Sequence, residues 1–158
     1  MPIATKSSKH DISKESATAK ISKKLSTIVK KGDVLFFYGE IGVGKTTFIR
    51  YLINNLQKKN QLKLTEVPSP TFNLLNEYEI KELLIQHYDL FRLKNINETK
   101  NIGLLENCNN VLTLVEWPEK IKKKPKSRIE LIFEYKSKLD KRILKINWSS
   151  IYLFCCFD

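Results

Sequence analysis

Eight consecutive residues, Gly39-Glu40-Ile41-Gly42-Val43-Gly44-Lys45-Thr46, fit the spacing G-x-x-x-x-G-K-[ST] at every fixed position. Each fixed residue type has a task in holding a nucleoside triphosphate. Gly39 and Gly44 permit backbone angles and close approaches that a side chain would block, so successive N–H groups can point at phosphate oxygens. Lys45 places a positive charge at the β and γ phosphates, and the Thr46 hydroxyl is suited to ligate Mg²⁺. With Thr47 following, Gly39 to Thr47 forms a candidate cradle for ATP or GTP. The pattern says nothing about where the phosphate goes.

Phosphate chemistry also needs acidic groups at the ends of neighbouring strands, which order Mg²⁺ directly or through water. Two stretches supply them. Leu83-Leu84-Ile85-Gln86-His87-Tyr88-Asp89 reads as a strand presenting His87 and Asp89 at its polar end, and Val111-Leu112-Thr113-Leu114-Val115-Glu116 ends in a carboxylate followed by Trp117-Pro118-Glu119. A lone histidine at a strand end is more often a structural hydrogen-bonding group than a catalyst. Between the glycine loop and Asp89 lies Glu66-Val67-Pro68-Ser69-Pro70-Thr71-Phe72-Asn73-Leu74, whose prolines exclude it from a central strand. Its hydroxyls make it a candidate sensor of the γ-phosphate, and an ordinary surface turn accounts for it equally well.

The elements that must position these residues are legible from periodicity. Ala17, Ile21, Leu25 and Ile28 recur at helical spacing from Ser16 to Val29, and Lys30-Lys31-Gly32 supplies a basic last turn and a stop. Val34 to Tyr38 is a continuous apolar run of strand length, as expected for a strand covered on both faces. After the glycine loop, Phe48, Leu52 and Leu56 fall on one helical face with Ile49 and Ile53 beside them. Strand, loop and helix therefore stand in the order a phosphate loop requires. Two late strands are expected from Ile129, Leu131 and Phe133 and from Leu144, Ile146 and Trp148, extending the sheet at an edge.

The 158 residues suit one domain, and 42% hydrophobic with 28% charged residues is the composition of a folded protein. A formal charge of +11 favours anionic partners, whether nucleotide, acidic protein or RNA, although abundant lysine throughout the chain would raise it without any such contact. Cys108, Cys155 and Cys156 have neither the pairing nor the spacing of a disulfide framework or zinc site. The polar start has no signal-peptide character, and the longest apolar run, Ile151 to Phe157, is far short of the roughly 20 residues of a spanning helix. No membrane association and a cytoplasmic location are expected.

In this order and spacing, GEIGVGKTTFIR, VPSPTFNLLNEY, HYDLFRL, IGLLE and VEWPE resemble the bacterial TsaE (YjeE) family, the ATPase of tRNA threonylcarbamoyladenosine biosynthesis. The resemblance runs from about Ser16 to Trp148, and Glu15-Ser16-Ala17-Thr18 is similar to the start of the family's first helix. It implies a single α/β domain of the P-loop NTPase-like, three-layer α/β/α kind, with a mostly parallel central sheet and antiparallel edge strands. Residues 1–14 would be a flexible lead-in, and 149–158 a tail beyond the resemblance. The implied role is an accessory ATPase for a separate pair of proteins, TsaB and TsaD, that transfers a threonylcarbamoyl group to adenosine 37 of tRNA. The tRNA would be reached through that pair.

Carried over by position, Lys45 and Thr46 would bind phosphates and Mg²⁺, and Asp89 and Glu116 would surround the metal and the attacking water. Thr18 would lie near the adenine, Ser69, Pro70 and Thr71 would form a switch loop, and Trp117 would transmit the state of the nucleotide. Glu40, Ile41, Val43 and Phe91 depart from the family's usual residues without touching a phosphate ligand. Arg50 and Arg92 are arginine-finger candidates by charge alone, consistent with a site that a partner completes. A small-molecule kinase would use the same loop, but it needs an acceptor pocket and usually a lid. Lys120 to Arg128 is too short and lysine-rich to be one. A basic RNA-binding module would instead bind tRNA tightly by itself, with steep salt dependence.

Overall fold

The computed structural model describes residues 6–95 and 97–149. Its centre is β2 (Val34–Tyr38), whose first four residues are buried, as a strand covered on both faces requires. Val34 and Phe36 point to one side and Leu35 and Phe37 to the other, in separate apolar clusters. On its flanks β2 pairs in parallel with β5 (Leu112–Glu116) and with β6 (Ile129–Tyr135), and β5 pairs in parallel with β4 (Leu83–Asp89). Antiparallel strands lie outside these four. β7 (Arg142–Trp148) adds to β6, β1 (Lys6–Asp11) adds to β7, and β3 (Leu75–Ile80) folds back on β4 through a tight turn at Lys81. The seven-stranded order is β1-β7-β6-β2-β5-β4-β3.

One face of this sheet carries both long helices. α1 (Glu15–Ser26) and α2 (Lys45–Lys59) pack Leu25, Phe48, Leu52 and Ile53, all fully buried, over Leu35, Phe37, Leu114 and Leu131. Phe37, Phe48 and Phe133 form a ring cluster with centroids 5.9–6.4 Å apart, directly beneath the start of α2. The opposite face, with Val34, Phe36, Tyr88 and Val115, is closed by Leu90, Leu93, Leu104, Leu105 and Ile121. Between these residues the helical pieces are α3 (Glu98–Asn101), a single turn, and a 3-10 turn at Pro118–Lys120. The three-layer α/β/α arrangement expected from the sequence is thus met on one side only. Gly103 and the asparagines at 107, 109 and 110 favour turns, so the apolar residues there seal the sheet from irregular chain.

Two further expectations are corrected. Residues 6–11, read as part of a flexible lead-in, form β1 and pair along their whole length with β7, from Lys6↔Trp148 to Asp11↔Ile143. Its sequence KSSKHD carries no apolar alternation because an outer strand is held by its ladder of backbone hydrogen bonds, and lysines on such an edge discourage pairing with other chains. The late strands do not lie at an edge either, since β6 sits against β2 and β7 is covered by β1. Strand β3, with its polar NEYE run, was not anticipated from periodicity. Ser149 follows β7; residues 150–158 of the tail, with Cys155 and Cys156, lie outside the described residues. Among the described residues no helix is long and apolar enough to cross a membrane.

The exit from β2 is the tightest place in the fold. Gly39 has φ +139°, and a Cβ there would lie 2.7 Å from the Phe133 carbonyl oxygen and 2.9 Å from Val43 Cγ1. Gly39→Ala should therefore lower stability by about 1–3 kcal/mol in urea denaturation. Gly32→Ala, at φ +93° with its nearest neighbour 3.5 Å away, should cost less. Equal losses in the two variants would show that close approach at Gly39 is not limiting.

Candidate functional site

The glycine loop joins β2 to α2 by three glycines with positive φ, Gly39, Gly42 and Gly44, the last serving as the N-terminal cap of the helix. The loop therefore wraps over the helix N-terminus, where unpaired N–H groups favour an anion. Lys45 is only 5% exposed. Its ammonium donates to the carbonyl oxygens of Gly39 and, at 2.9 Å, of Glu40, and it stands 4.3 Å from the centre of the Trp117 ring. Burial lowers its pKa below the usual 10.5, an effect partly offset by the negative charges of Glu116 and Asp89. The lysine is thus drawn inward along its own loop.

Strand register brings the acids to this place. β4 and β5 pair so that Asp89 lies opposite Glu116, and β5 pairs with β2 so that Glu116 lies opposite Phe37, two residues before Gly39. Both carboxylates leave the C-terminal ends of parallel strands beside the loop, where open α/β sheets bind ligands. Glu116 is 2% exposed and accepts the Thr46 hydroxyl at 3.0 Å and 3.1 Å on its two oxygens. His87 Nε2 lies 2.8 Å from Glu116 Oε1. Asp89, also buried, accepts the hydroxyls of Ser69 and, at 3.1 Å, Thr71 on Oδ2 and the Phe91 backbone N–H at 2.9 Å on Oδ1. The two acids hold different parts of the site.

Between loop and acids runs a cleft of about 320 Å³. Lys45, Thr46, Ser69, Thr71, Asp89, Glu116 and Trp117, singled out from sequence, all line it, as do Ile41, Gly42, Gly44 and Thr47 of the loop. Gly39 and Glu40 take part through the carbonyls that hold Lys45. Val43 turns into the core, and Pro70 is buried with its carbonyl accepting the Leu74 N–H at 2.7 Å. Thr18 is buried in α1 and is not among the residues lining this cleft. Arg50 approaches Glu15 at 3.7 Å and Arg92 packs on the Phe72 ring at 4.0 Å. Neither arginine lines the cleft.

Strand periodicity places a further polar side chain at the site. In a strand, residues two apart share a face, so His87 must project to the same side as Asp89 and Ile85. Phe91 packs at a tilt against Trp117, with ring centres 4.9 Å apart. Trp117 itself adopts a left-handed conformation, φ +60°, with its N–H on the Phe37 carbonyl at 3.3 Å and Pro118 behind it. Arg142 reaches the far side of the loop, its guanidinium 3.9 Å from where a Cβ on Gly44 would sit. Nothing in the local sequence around Arg142 signals this proximity, which comes from β7 lying next to β6.

The Thr46 hydroxyl and the carboxylates of Asp89 and Glu116 give the cleft an oxygen set that suits a hard divalent cation. Among the described residues no group of three or more His, Cys, Asp or Glu side chains could hold a metal unaided. Mg²⁺ in general keeps several waters and commonly relies on substrate phosphates for the remainder of its shell, so few protein oxygens suffice to hold it.

The chain is similar to known proteins of one family. The family model for TsaE, threonylcarbamoyl adenosine biosynthesis protein, matches residues 12–144. The tRNA threonylcarbamoyladenosine biosynthesis protein TsaE of Rickettsia conorii is 40% identical over 113 residues, covering 72% of this chain and 62% of that protein. The chain thus spans less than two thirds of that relative's length. The protein of the same name from Bacillus subtilis is 32% identical over 120 residues, covering 74% and 71%. Among solved structures, the crystal structure of Bacillus subtilis YdiB superposes with a TM-score of 0.71 at 25% identity, covering 93% of this chain and 88% of the other.

The buried lysine has a measurable signature. Because its folded pKa is lowered, the unfolded chain holds this proton to higher pH, and the stability cost of the buried charge fades as pH rises toward 10.5. Urea midpoints of wild type and Lys45→Met should therefore shift in favour of wild type as pH rises toward the ordinary lysine range. A difference that stays flat with pH would contradict the burial assigned to the ammonium.

Proposed function

The chain belongs to the TsaE family of threonylcarbamoyl adenosine biosynthesis proteins, and from that membership and the geometry of the cleft we propose that it is a P-loop ATPase that supports tRNA threonylcarbamoyladenosine formation. The observation that carries the proposal is the convergence of Lys45, Thr46, Asp89 and Glu116 on one cleft at the head of α2. The loop amides and the helix N-terminus receive the phosphates of ATP. Lys45 supplies positive charge there, exchanging its two carbonyl partners for phosphate oxygens. Mg²⁺ bound with the nucleotide would neutralise charge on the β and γ phosphates, and Thr46 with the adjacent acids would hold it.

Each residue then has a distinct task. Glu116 accepts the Thr46 hydroxyl proton, which leaves the oxygen lone pairs of Thr46 free to face the cleft. Asp89 ties the loop bearing Ser69 and Thr71 to the strand end, so this loop senses what occupies the space beside the γ-phosphate. Trp117, over Lys45 and against Phe91, feels any movement of the ammonium. Among the described residues no arginine lines the cleft, which supports a weak intrinsic activity raised by partner proteins, the pair TsaB and TsaD. The tRNA is handled by that pair, and water accepts the phosphoryl group.

Hydrolysis of ATP with Mg²⁺ by wild type and Glu116→Gln, with the transferase pair and tRNA present, tests the reading. The substitution should lower turnover by about 10²- to 10³-fold while leaving nucleotide binding largely intact. Unchanged turnover would remove Glu116 from the mechanism. Recovery of a phosphorylated metabolite in place of free phosphate would favour a kinase.

A further inference from the structure

His87 is a buried side chain outside the assigned set that touches an assigned acid. Its side chain is wholly inaccessible, on the face of β4 that it shares with Ile85 and Asp89, and its Nε2 is 2.8 Å from Glu116 Oε1. The other ring nitrogen, Nδ1, is buried and has no hydrogen-bond partner among the described residues. An apolar side chain of similar volume would avoid that orphaned nitrogen, which opposes folding. The histidine is therefore not explained as packing.

We propose that His87 is a positioning residue for Glu116, holding its carboxylate in the orientation that serves Thr46. This rests on the ATPase reading given above. A glutamate at a strand end has three side-chain torsions to restrain, and Glu116 receives donors from two separate elements. His87 reaches it from β4 and Thr46 from α2. Both meet Oε1, while Thr46 alone also reaches Oε2. The Thr46 hydroxyl also serves the cleft through its oxygen lone pairs, so a donor from a second element fixes the carboxylate independently of it. The Nε2–H of His87 has no such second task, and the strand fixes its ring. With Nε2 carrying the proton, the carboxylate keeps one permanent donor throughout the nucleotide cycle. Groups that orient a ligating carboxylate from behind in this way commonly change metal affinity or activity when removed.

The tests separate this inference from the reading beneath it. In ¹⁵N-histidine-labelled protein without nucleotide, a slowly exchanging Nε2–H resonance of His87 should be visible, and it should shift or vanish in Glu116→Ala. His87→Leu should lower kcat by about 10- to 100-fold and raise the Mg²⁺ concentration needed for half-maximal activity, with little change in ATP affinity measured without metal. His87→Gln, whose amide can reach the same oxygen, should recover most of the loss. If Glu116→Gln abolishes hydrolysis while His87→Leu matches wild type, the positioning role is wrong and the ATPase reading stands. If wild type and Glu116→Gln hydrolyse ATP equally, Glu116 leaves the mechanism and the positioning role falls with it, while the ATPase reading fails only if wild type releases no phosphate. Should His87→Leu not fold, a His87→Gln variant as impaired as Glu116→Gln would overturn the inference.

Discussion

The parallel register between β4 and β5 sets Asp89 opposite Glu116, and the site depends on it. Side chains alternate along a strand, so a slip of one residue would turn one acid away from the glycine loop and send apolar neighbours into the cleft. The register is held by burial on both faces. Ile85, Leu112 and Leu114 press toward the helices while Tyr88 and Val115 press toward the opposite face, so any slip exchanges the two clusters. Parallel pairing with β2 then carries the same alignment to Phe37 and hence to the loop. The core and the cleft are two consequences of one set of strand pairings.

How much of this could be read from the chain follows from what each signal depends on. The glycine loop, its preceding strand and its following helix were legible because all the determinants are local: apolar runs, glycine spacing and a 3.6-residue period. The acids at the ends of the strands were legible for the same reason. Strand β1 was not, since KSSKHD is held by backbone hydrogen bonds to β7 and leaves no apolar imprint. The place of β6 beside β2 was equally hidden, because alternation specifies that a strand has a buried face but not which neighbour it meets. The absence of a long helix between β4 and β5 was visible in principle in the run of asparagines and Gly103.

Within the site the division is similar. Residue types and order pointed to Lys45, Thr46, Asp89 and Glu116, but not to the pairing of Asp89 with the Ser69 loop and of Glu116 with Thr46. That division of labour depends on how far each side chain reaches in three dimensions. His87 shows the gap most clearly, as its face could be deduced by counting along β4 while its partner required the register with β5. Arg50 and Arg92, chosen by charge alone, engage Glu15 and Phe72. Charge without placement is a poor guide to a phosphate site.

The pairing of β1 with β7 also bears on how the chain is made. Lys6 meets Trp148 across the ladder, and both neighbours of β2 come from far later in the chain than β2 itself. An N-terminal fragment emerging during synthesis can form α1 and α2, but its central strand has no partner until β5 arrives. Its first strand waits until β7. Such long-range closure slows folding, and it leaves Val34 to Phe37 uncovered in the meantime. A protein of this topology commits to its nucleotide cradle late, when nearly the whole sheet has been translated.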